Sequence, residues 1–176
     1  VVFGGHPSFL NDVWELAYTG PPQWNPLLPG GTPPEPRWGH CAVYDPPRDR
    51  MIVFGGFDGS GVNRNDAWAL QFTPSLQWVP LTPTGTPPAG RRDATPVYDS
   101  VRDRLLLFGG YGADFLNDVW ELSLGGVPQW TRLLPTGGPP EKRNQITAVY
   151  EPMMDRMVVF GGWDNALLPD TWFLGF

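Results

Sequence analysis

The tripeptide Phe-Gly-Gly occurs four times in this 176-residue chain, starting at Phe3, Phe54, Phe108 and Phe160, at intervals of 51, 54 and 52 residues. Spacing this regular marks one supersecondary unit copied along the chain, which can bury its faces only against neighbouring copies, as in solenoids, propellers and arrays.

More than the tripeptide recurs. Seventeen residues before Phe54, Phe108 and Phe160 stand Arg37, Arg91 and Arg143, without insertion. Between them lie Val-Tyr-Asp or Val-Tyr-Glu, a polar connection ending in Asp-Arg, and an apolar run into Gly-Gly. Downstream, Asn-Asp-x-Trp begins at Asn11, Asn65 and Asn117, and Pro169-Asp170-Thr171-Trp172 takes its place in the fourth copy. Ten residues after Trp14, Trp68 and Trp120 stand Trp24, Trp78 and Trp130, and the next Arg follows thirteen residues later. Length varies only between Gly-Gly and the first Trp, which identifies that segment as a loop.

Each copy reads as four short strands, a to d. Strands a and b flank the Asp-Arg turn, with Pro46 and Pro47 in the first such connection. Strand b (51–54, 105–108, 157–160) is continuously apolar, as expected of a strand covered on both faces. Strand c alternates, with Trp120 and Leu122 on one face and Val119 and Glu121 on the other. Strand d carries Pro26 and Pro80, which cannot donate to a ladder, so d belongs at an edge. Sheets apolar on both faces must be sandwiched between copies, and radial stacking achieves this. The expected units are 1–36 (partial), 37–90, 91–142 and 143–176 (partial), together a single partial domain over 1–176.

The Gly-Gly pairs, the strand-a Tyr, the spaced Trp pairs and the Arg opening strand a resemble the kelch repeat, over the whole chain. The resemblance implies an all-β kelch-type β-propeller like the central domain of galactose oxidase, here a partial ring of about four blades. The chain opens at Val1-Val2-Phe3 inside strand b and ends at Phe176 just past strand c. It therefore reads as a fragment, about half a ring, whose open edges offer a route to self-association. No signal-like leader from which to read a compartment is visible.

Gly 22 and Pro 22 make up 25% of the chain, a level at which disorder competes. Here both recur in register and aromatics reach 14%, so they are turn residues of many strands. No sustained 3.6-residue period predicts a helix, and no apolar run is long enough to span a membrane. A net charge of −6 argues against nucleic acid as a partner. Cys41 is the lone cysteine; Thr95 and Thr147 take its place elsewhere, so a small buried residue is expected there.

Repetition also sorts structure from function. Residues found in every copy serve the blade; a site needs residues that differ. The Gly pairs supply backbone freedom or close approach. The Trp residues fill space between blades, each about 150–250 Å² and on the order of 4–6 kcal/mol gross. Asp12, Asp66, Asp118 and Asp170 are expected to cap turns. Asp49-Arg50, Asp103-Arg104 and Asp155-Arg156 are expected as local ion pairs or solvated turns.

The differing positions follow Gly-Gly directly: His6, Phe57, Tyr111 and Trp163. In an antiparallel blade the b–c loops and d–a connections emerge on one face, so the arginines opening strand a share it with these rings. Arg37, Arg91 and Arg143 could thus receive carboxylates, since a guanidinium binds them bidentately. Kelch adaptors of ubiquitin ligases, which this chain resembles, hold acidic peptides with such arginines. The competing expectation is that each Arg pairs with a carboxylate of its own or the next blade, and that the rings plug gaps between blades.

For an enzyme the chain offers little. Galactose oxidase binds copper with two histidines and two tyrosines; here only His6 and His40 occur, and His40 sits where other copies have Ala94 and Ile146. No zinc spacing, nucleophile elbow or Walker loop is present. The loop 57–64 is oxygen-rich but lacks a calcium-loop pattern, and reads as solvated. The reading is a non-enzymatic protein- or peptide-binding module with no cofactor and no metal. A glycan-binding or glycan-modifying propeller using Phe57, Tyr111 and Trp163 is the alternative, followed by scaffold blades of an enzyme whose site lies elsewhere.

Overall fold

Strand b must be covered on both faces, and the computed structural model, which describes residues 1–176, shows what covers it. The first sheet orders β1 (Val2–Gly5), β2 (Leu10–Ala17) and β3 (Gln23–Leu27) side by side. A short pair follows, β4 (Arg37–Trp38) against β7 (Phe57–Asp58), beside the second sheet. That sheet runs β5 (Cys41–Asp45), β6 (Arg50–Phe54), β8 (Ala67–Gln71) and β9 (Gln77–Leu81). The third runs β10 (Thr95–Asp99), β11 (Arg104–Tyr111), β12 (Phe115–Ser123) and β13 (Gln129–Leu133). The last comprises β14 (Thr147–Glu151), β15 (Arg156–Phe160) and β16 (Thr171–Gly175).

All pairings between strands within the sheets are antiparallel and the register repeats. Cys41 faces Phe54, Thr95 faces Phe108 and Thr147 faces Phe160; Leu16, Leu70 and Leu122 face Trp24, Trp78 and Trp130. The a strands β5, β10 and β14 neighbour one another, which makes them innermost, and the proline-bearing d strands are outermost. The only helical element is a 3-10 turn at Pro46–Arg48, and no helix is long and apolar enough to cross a membrane.

Blades pack face to face through equivalent positions. Phe3 and Val13 of the first blade meet Met51, Val53, Leu70 and Trp78 of the second. Phe54 and Ala67 of the second meet Leu105, Leu107, Leu122 and Trp130 of the third. Phe108 and Val119 of the third meet Met157 and Val159 of the fourth. Trp78 and Trp130 thus fill the space between blades, as expected. Trp24 does not: it is 54% exposed, because no blade of this chain packs on that side of the first sheet.

The outer edge is clasped as well. The segment leaving β3 reaches over to the next blade, where Gly30 N–H donates to Leu76 O (3.0 Å) and Gly30 O accepts from Trp78 N–H (2.9 Å). Thr84 repeats this with Pro128 and Trp130 at 2.8 and 2.9 Å. The d strands β9 and β13 are edges within their own sheets, yet the exposed ladder of each is partly paired by the preceding repeat. Gly85 (φ 79°) makes the clasp possible, since a Cβ there would stand 2.4 Å from Trp130 O.

At the a–b turns the Asp-Arg dipeptides do not form the expected local pairs. The Arg turns back along its own sheet: Arg50 to Asp45, Arg104 to Asp99 and Arg156 to Glu151, each 2.7 Å. The Asp sits in the left-handed region (φ 45°, 50° and 48°) and accepts the hydroxyl of its own strand-a tyrosine, Tyr44, Tyr98 or Tyr150. In the third and fourth blades that Asp also binds an arginine of the preceding blade, Asp103 accepting from Arg48 and Asp155 from Arg102.

Candidate functional site

Arg37, Arg91 and Arg143 open their repeats on the expected face, but they are buried inside the blades. Arg91 donates from Nη1 and Nη2 to both carboxylate oxygens of Asp118 (2.6 and 2.9 Å), from Nη1 to Gly109 O and from Nε to Ala89 O. Arg37 does the same with Asp66, Gly55 and Glu35, and Arg143 with Asp170, Gly161 and Glu141. The second oxygen of each Asp also accepts an indole N–H, from Trp68, Trp120 or Trp172.

Two expectations are corrected here. Four of the five N–H donors of each arginine are engaged inside its own blade and the side chain is buried away from any partner's carboxylate, so the competing expectation of a pair within the blade is the one realised, and Asp66, Asp118 and Asp170 are the guanidinium's partners rather than turn caps. In the first blade Asp12 bonds only Trp14. Burial opposes ionisation of Asp66 and Asp118, but the bonds from Arg and Trp outweigh it and hold both carboxyls below their ordinary value. Asp170 is held at about 2 by Arg143 and Trp172.

Gly-Gly lies where this network crosses between blades. Gly55 O accepts from Arg37 of its own blade, while Gly56 N–H donates to Arg91 O of the next (2.8 Å). A Cβ on Gly55 would stand 2.6 Å from that carbonyl oxygen. Both expected roles of the glycines, unusual backbone and close approach, are realised at one position.

The rings after Gly-Gly are a different matter. Three of the four pair with the residue that follows the buried Arg: Phe57 with Trp38, Tyr111 with Arg92 and Trp163 with Asn144. Sequence reasoning missed those three partners. They differ between copies as the rings do, and applying the same filter one residue after Arg would have found them.

Together they form a belt across the blades. His6 lies 6.0 Å from Trp38, Trp38 5.6 Å from Phe57, Tyr111 5.0 Å from Phe115, and Phe115 5.4 Å from Trp163, mostly edge to face. The gap in the belt is closed by Arg92, whose guanidinium stands 5.3, 4.9 and 4.5 Å from Trp38, Phe57 and Tyr111. The rings therefore do pack between blades: Phe115 is buried, Trp38, Phe57 and Tyr111 are half-buried, and His6 and Trp163 stay exposed.

Other sequence candidates are structural. Cys41 is buried and donates to Ala94 O of the next blade at 3.3 Å; Thr95 donates likewise to Ile146 O at 2.6 Å. Burial pushes the Cys41 thiol up to about 12, so it is a small donor joining two blades and not a reactive thiol. His40 packs edge-on to Phe3 at 5.0 Å, and burial, with Arg37 nearby, lowers it to about 4. The loop 57–64 is not simply solvated: Asp58 is buried and accepts from Ser60 N–H, the Ser60 hydroxyl, Val62 N–H and Arg64. No three His, Cys, Asp or Glu side chains converge so as to hold a metal ion.

Antiparallel four-stranded sheets stacked face to face, with their first strands innermost, define β-propeller blades. The chain belongs to the kelch-repeat family: the family described as "KLHDC2/KLHL20/DRC7 Kelch-repeats domain" matches residues 1–176. It is 32% identical to the leucine-zipper-like transcriptional regulator 1 homolog of Drosophila melanogaster, over 98% of this chain and 18% of that protein. Human host cell factor 1 is likewise 32% identical, over 99% of this chain and 9% of its own length, and the Caenorhabditis elegans host cell factor homolog hcf-1 32%, over 92% and 23%. The chain thus spans less than a quarter of each of these relatives. Among solved structures, that of YjhT superposes with a TM-score of 0.65 at 18% identity, over 88% of this chain and 46% of that one, a likeness of fold.

Proposed function

We propose that the chain is a non-enzymatic protein- or peptide-binding module whose ligand sits on the face carrying the b–c and d–a loops. The observation that carries this reading is the belt from His6 through Phe57 and Tyr111 to Trp163, built from side chains that differ between copies on a scaffold that does not. A rigid frame presenting variable aromatic side chains is the arrangement that concentrates binding energy in a few residues. Arg37, Arg91 and Arg143 act in this reading as the frame. Arg92 is half-buried among the rings, held by Asn63 and Asp93, and belongs to the belt that the partner would meet. A glycan would need open ring faces, and Arg92 lies over both Phe57 and Tyr111.

Peptides selected from a displayed library on this chain provide the test. Trp163→Ala should cut their binding at least about tenfold, as expected of an aromatic anchor, while the chain stays folded and its melting temperature falls by only about a few degrees. Selected peptides that bind Trp163→Ala and Phe57→Ala as well as the parent chain would refute the assignment of the face.

A second mode of association is supported by the outermost sheets. Phe160 is 54% exposed, whereas its equivalents Phe54 and Phe108 are 1% and 2% exposed. Self-association through these faces, read by light scattering at rising concentration, should weaken with Phe160→Ser.

A further inference from the structure

The ring-bearing face is divided into wedges between successive blades, and the residue after the buried Arg fills each one differently. In the first wedge Trp38 spans from His6 to Phe57. In the second the Arg92 guanidinium lies against Trp38, Phe57 and Tyr111 and donates to Asn63 Oδ1 at 3.0 Å. In the third the equivalent residue is Asn144, whose side chain is too short to span the gap. A cleft of about 360 Å³ remains there, its lining including Arg92, Asp93, Tyr111, Phe115, Asn144 and Trp163.

The polar groups of this cleft are acceptors without sufficient donors. Asn144 is only 6% exposed, and its Oδ1 has no hydrogen-bond partner. Its Nδ2 donates, at a long 3.5 Å, to Asp93 Oδ2, which fixes the amide the right way round, since the reversed amide would set oxygen against carboxylate. Asp93 otherwise has Arg92 Nε at 3.8 Å. Burial pushes the Asp93 carboxyl above its ordinary value, the Arg92 charge only partly opposing it. The backbone here is also held in an unusual conformation: Asp93 (φ 55°) and Gln145 (φ 53°) occupy the left-handed position that Gly39 takes in the first wedge. Backbone bonds from Asp93 N–H to Gly39 O and from Gln145 N–H to Asp93 O keep them there. A strained, under-donated pocket beside the exposed Trp163 ring is a receptor for a donor.

We propose that this cleft receives an arginine side chain of a protein partner, its guanidinium lying against Trp163 as Arg92 lies against Tyr111, and donating to the Asp93 carboxylate and Asn144 Oδ1. The neighbouring wedge supplies the template, because there the chain's own guanidinium occupies the equivalent space. A carboxylate guest would meet Asp93, and an aromatic one would leave both acceptors unpaired. A lysine lacks the planar fork that can stack on a ring and donate to two acceptors at once. The Arg92 charge is offset by Asp93, and the net charge of −6 draws basic partners. The proposal rests on the reading of this face as protein-binding.

N-acetyl-arginine amide and its neutral isostere N-acetyl-citrulline amide, titrated into the chain by NMR, separate the outcomes. The arginine probe should shift the Trp163 indole and the Asn144 side-chain amide with a dissociation constant of roughly millimolar order, as expected for a single side chain. The citrulline probe should bind at least about tenfold more weakly, having lost the charge-assisted bonds. Asp93→Asn, which keeps a residue tolerant of positive φ, should cost the arginine probe about tenfold. Asn144→Arg should fold, fill the wedge from within and abolish binding. No shift at these two residues, an equal response to citrulline amide, or undiminished binding by Asn144→Arg would each overturn the proposal. Library-selected peptides that depend on Trp163 but not on any arginine would overturn it while leaving the face a protein-binding surface.

Discussion

Arg48, in the a–b turn of the second blade, donates to both carboxylate oxygens of Asp103 in the turn of the third, at 3.0 and 2.6 Å. Arg102 repeats the bond to Asp155 of the fourth blade, 2.7 Å on each arm. In the fourth copy the equivalent residue is Met154, so the staple is a property of particular blade junctions. Both partners are about a third exposed, which limits the pair to about 1 kcal/mol or less. Arg48→Met should therefore lower the melting temperature by only about 2–4 °C. A double-mutant cycle with Asp103→Asn should return a coupling of that size, and one several times larger would mean the junction is drier than its exposure implies.

The buried pairs should behave otherwise. Asp118→Asn leaves the Arg91 guanidinium, which is fully buried, without its counter-charge, a loss on the order of 3–5 kcal/mol. Asp12→Asn at the same repeat position touches only the exposed Trp14 indole and should cost under about 1 kcal/mol. Urea unfolding of the two variants side by side reads the difference directly.

Acid should destabilise the chain in two stages. His40 is lowered in the folded state from 6.5 to about 4, so the unfolded chain binds the extra proton. Stability therefore falls as pH drops from about 6.5 towards 4. His40→Ala, which copies Ala94 of the next repeat, should flatten that stage. Asp66, Asp118 and Asp170 are depressed, so their contribution is present above their ordinary value near 3.8 and is lost as pH falls towards 2. Melting temperature against pH for the parent chain and His40→Ala separates the two.

Gly85→Ala forces a side chain into the left-handed region and into Trp130 O. It should destabilise by about 1–3 kcal/mol or more. Gly137, with φ 86° but nothing within 4 Å of its Cβ, isolates the backbone part of that cost. If the two alanine variants unfold at the same urea concentration, the clasp between blades contributes nothing.

Much of the architecture was legible because repetition reports it directly. The apolar run at 105–108 announced a strand covered on both faces, and Pro26 and Pro80 announced the outer edge; both are observed. The role of Arg91 was less legible. Its partner Asp118 lies 27 residues away, and whether the two meet depends on how far strand a reaches past the end of strand c, which no local pattern records. A repeated Arg together with a repeated Asp in every copy was nevertheless a usable signal for a pair inside the blade. The belt was half legible: Tyr111 stood out by differing from its counterparts, but Arg92 was masked by the adjacent Arg91.

The clasp made by Gly30 and Thr84 has a practical consequence for anyone moving a blade between proteins. A repeat cut in front of Arg37 takes with it the strap for its successor and leaves its own strap behind on the donor. The self-sufficient cassette instead runs from Leu28 to Leu81, beginning with the segment that ties down β9 and ending where β9 ends. A graft with those limits arrives with its outermost strand already fastened.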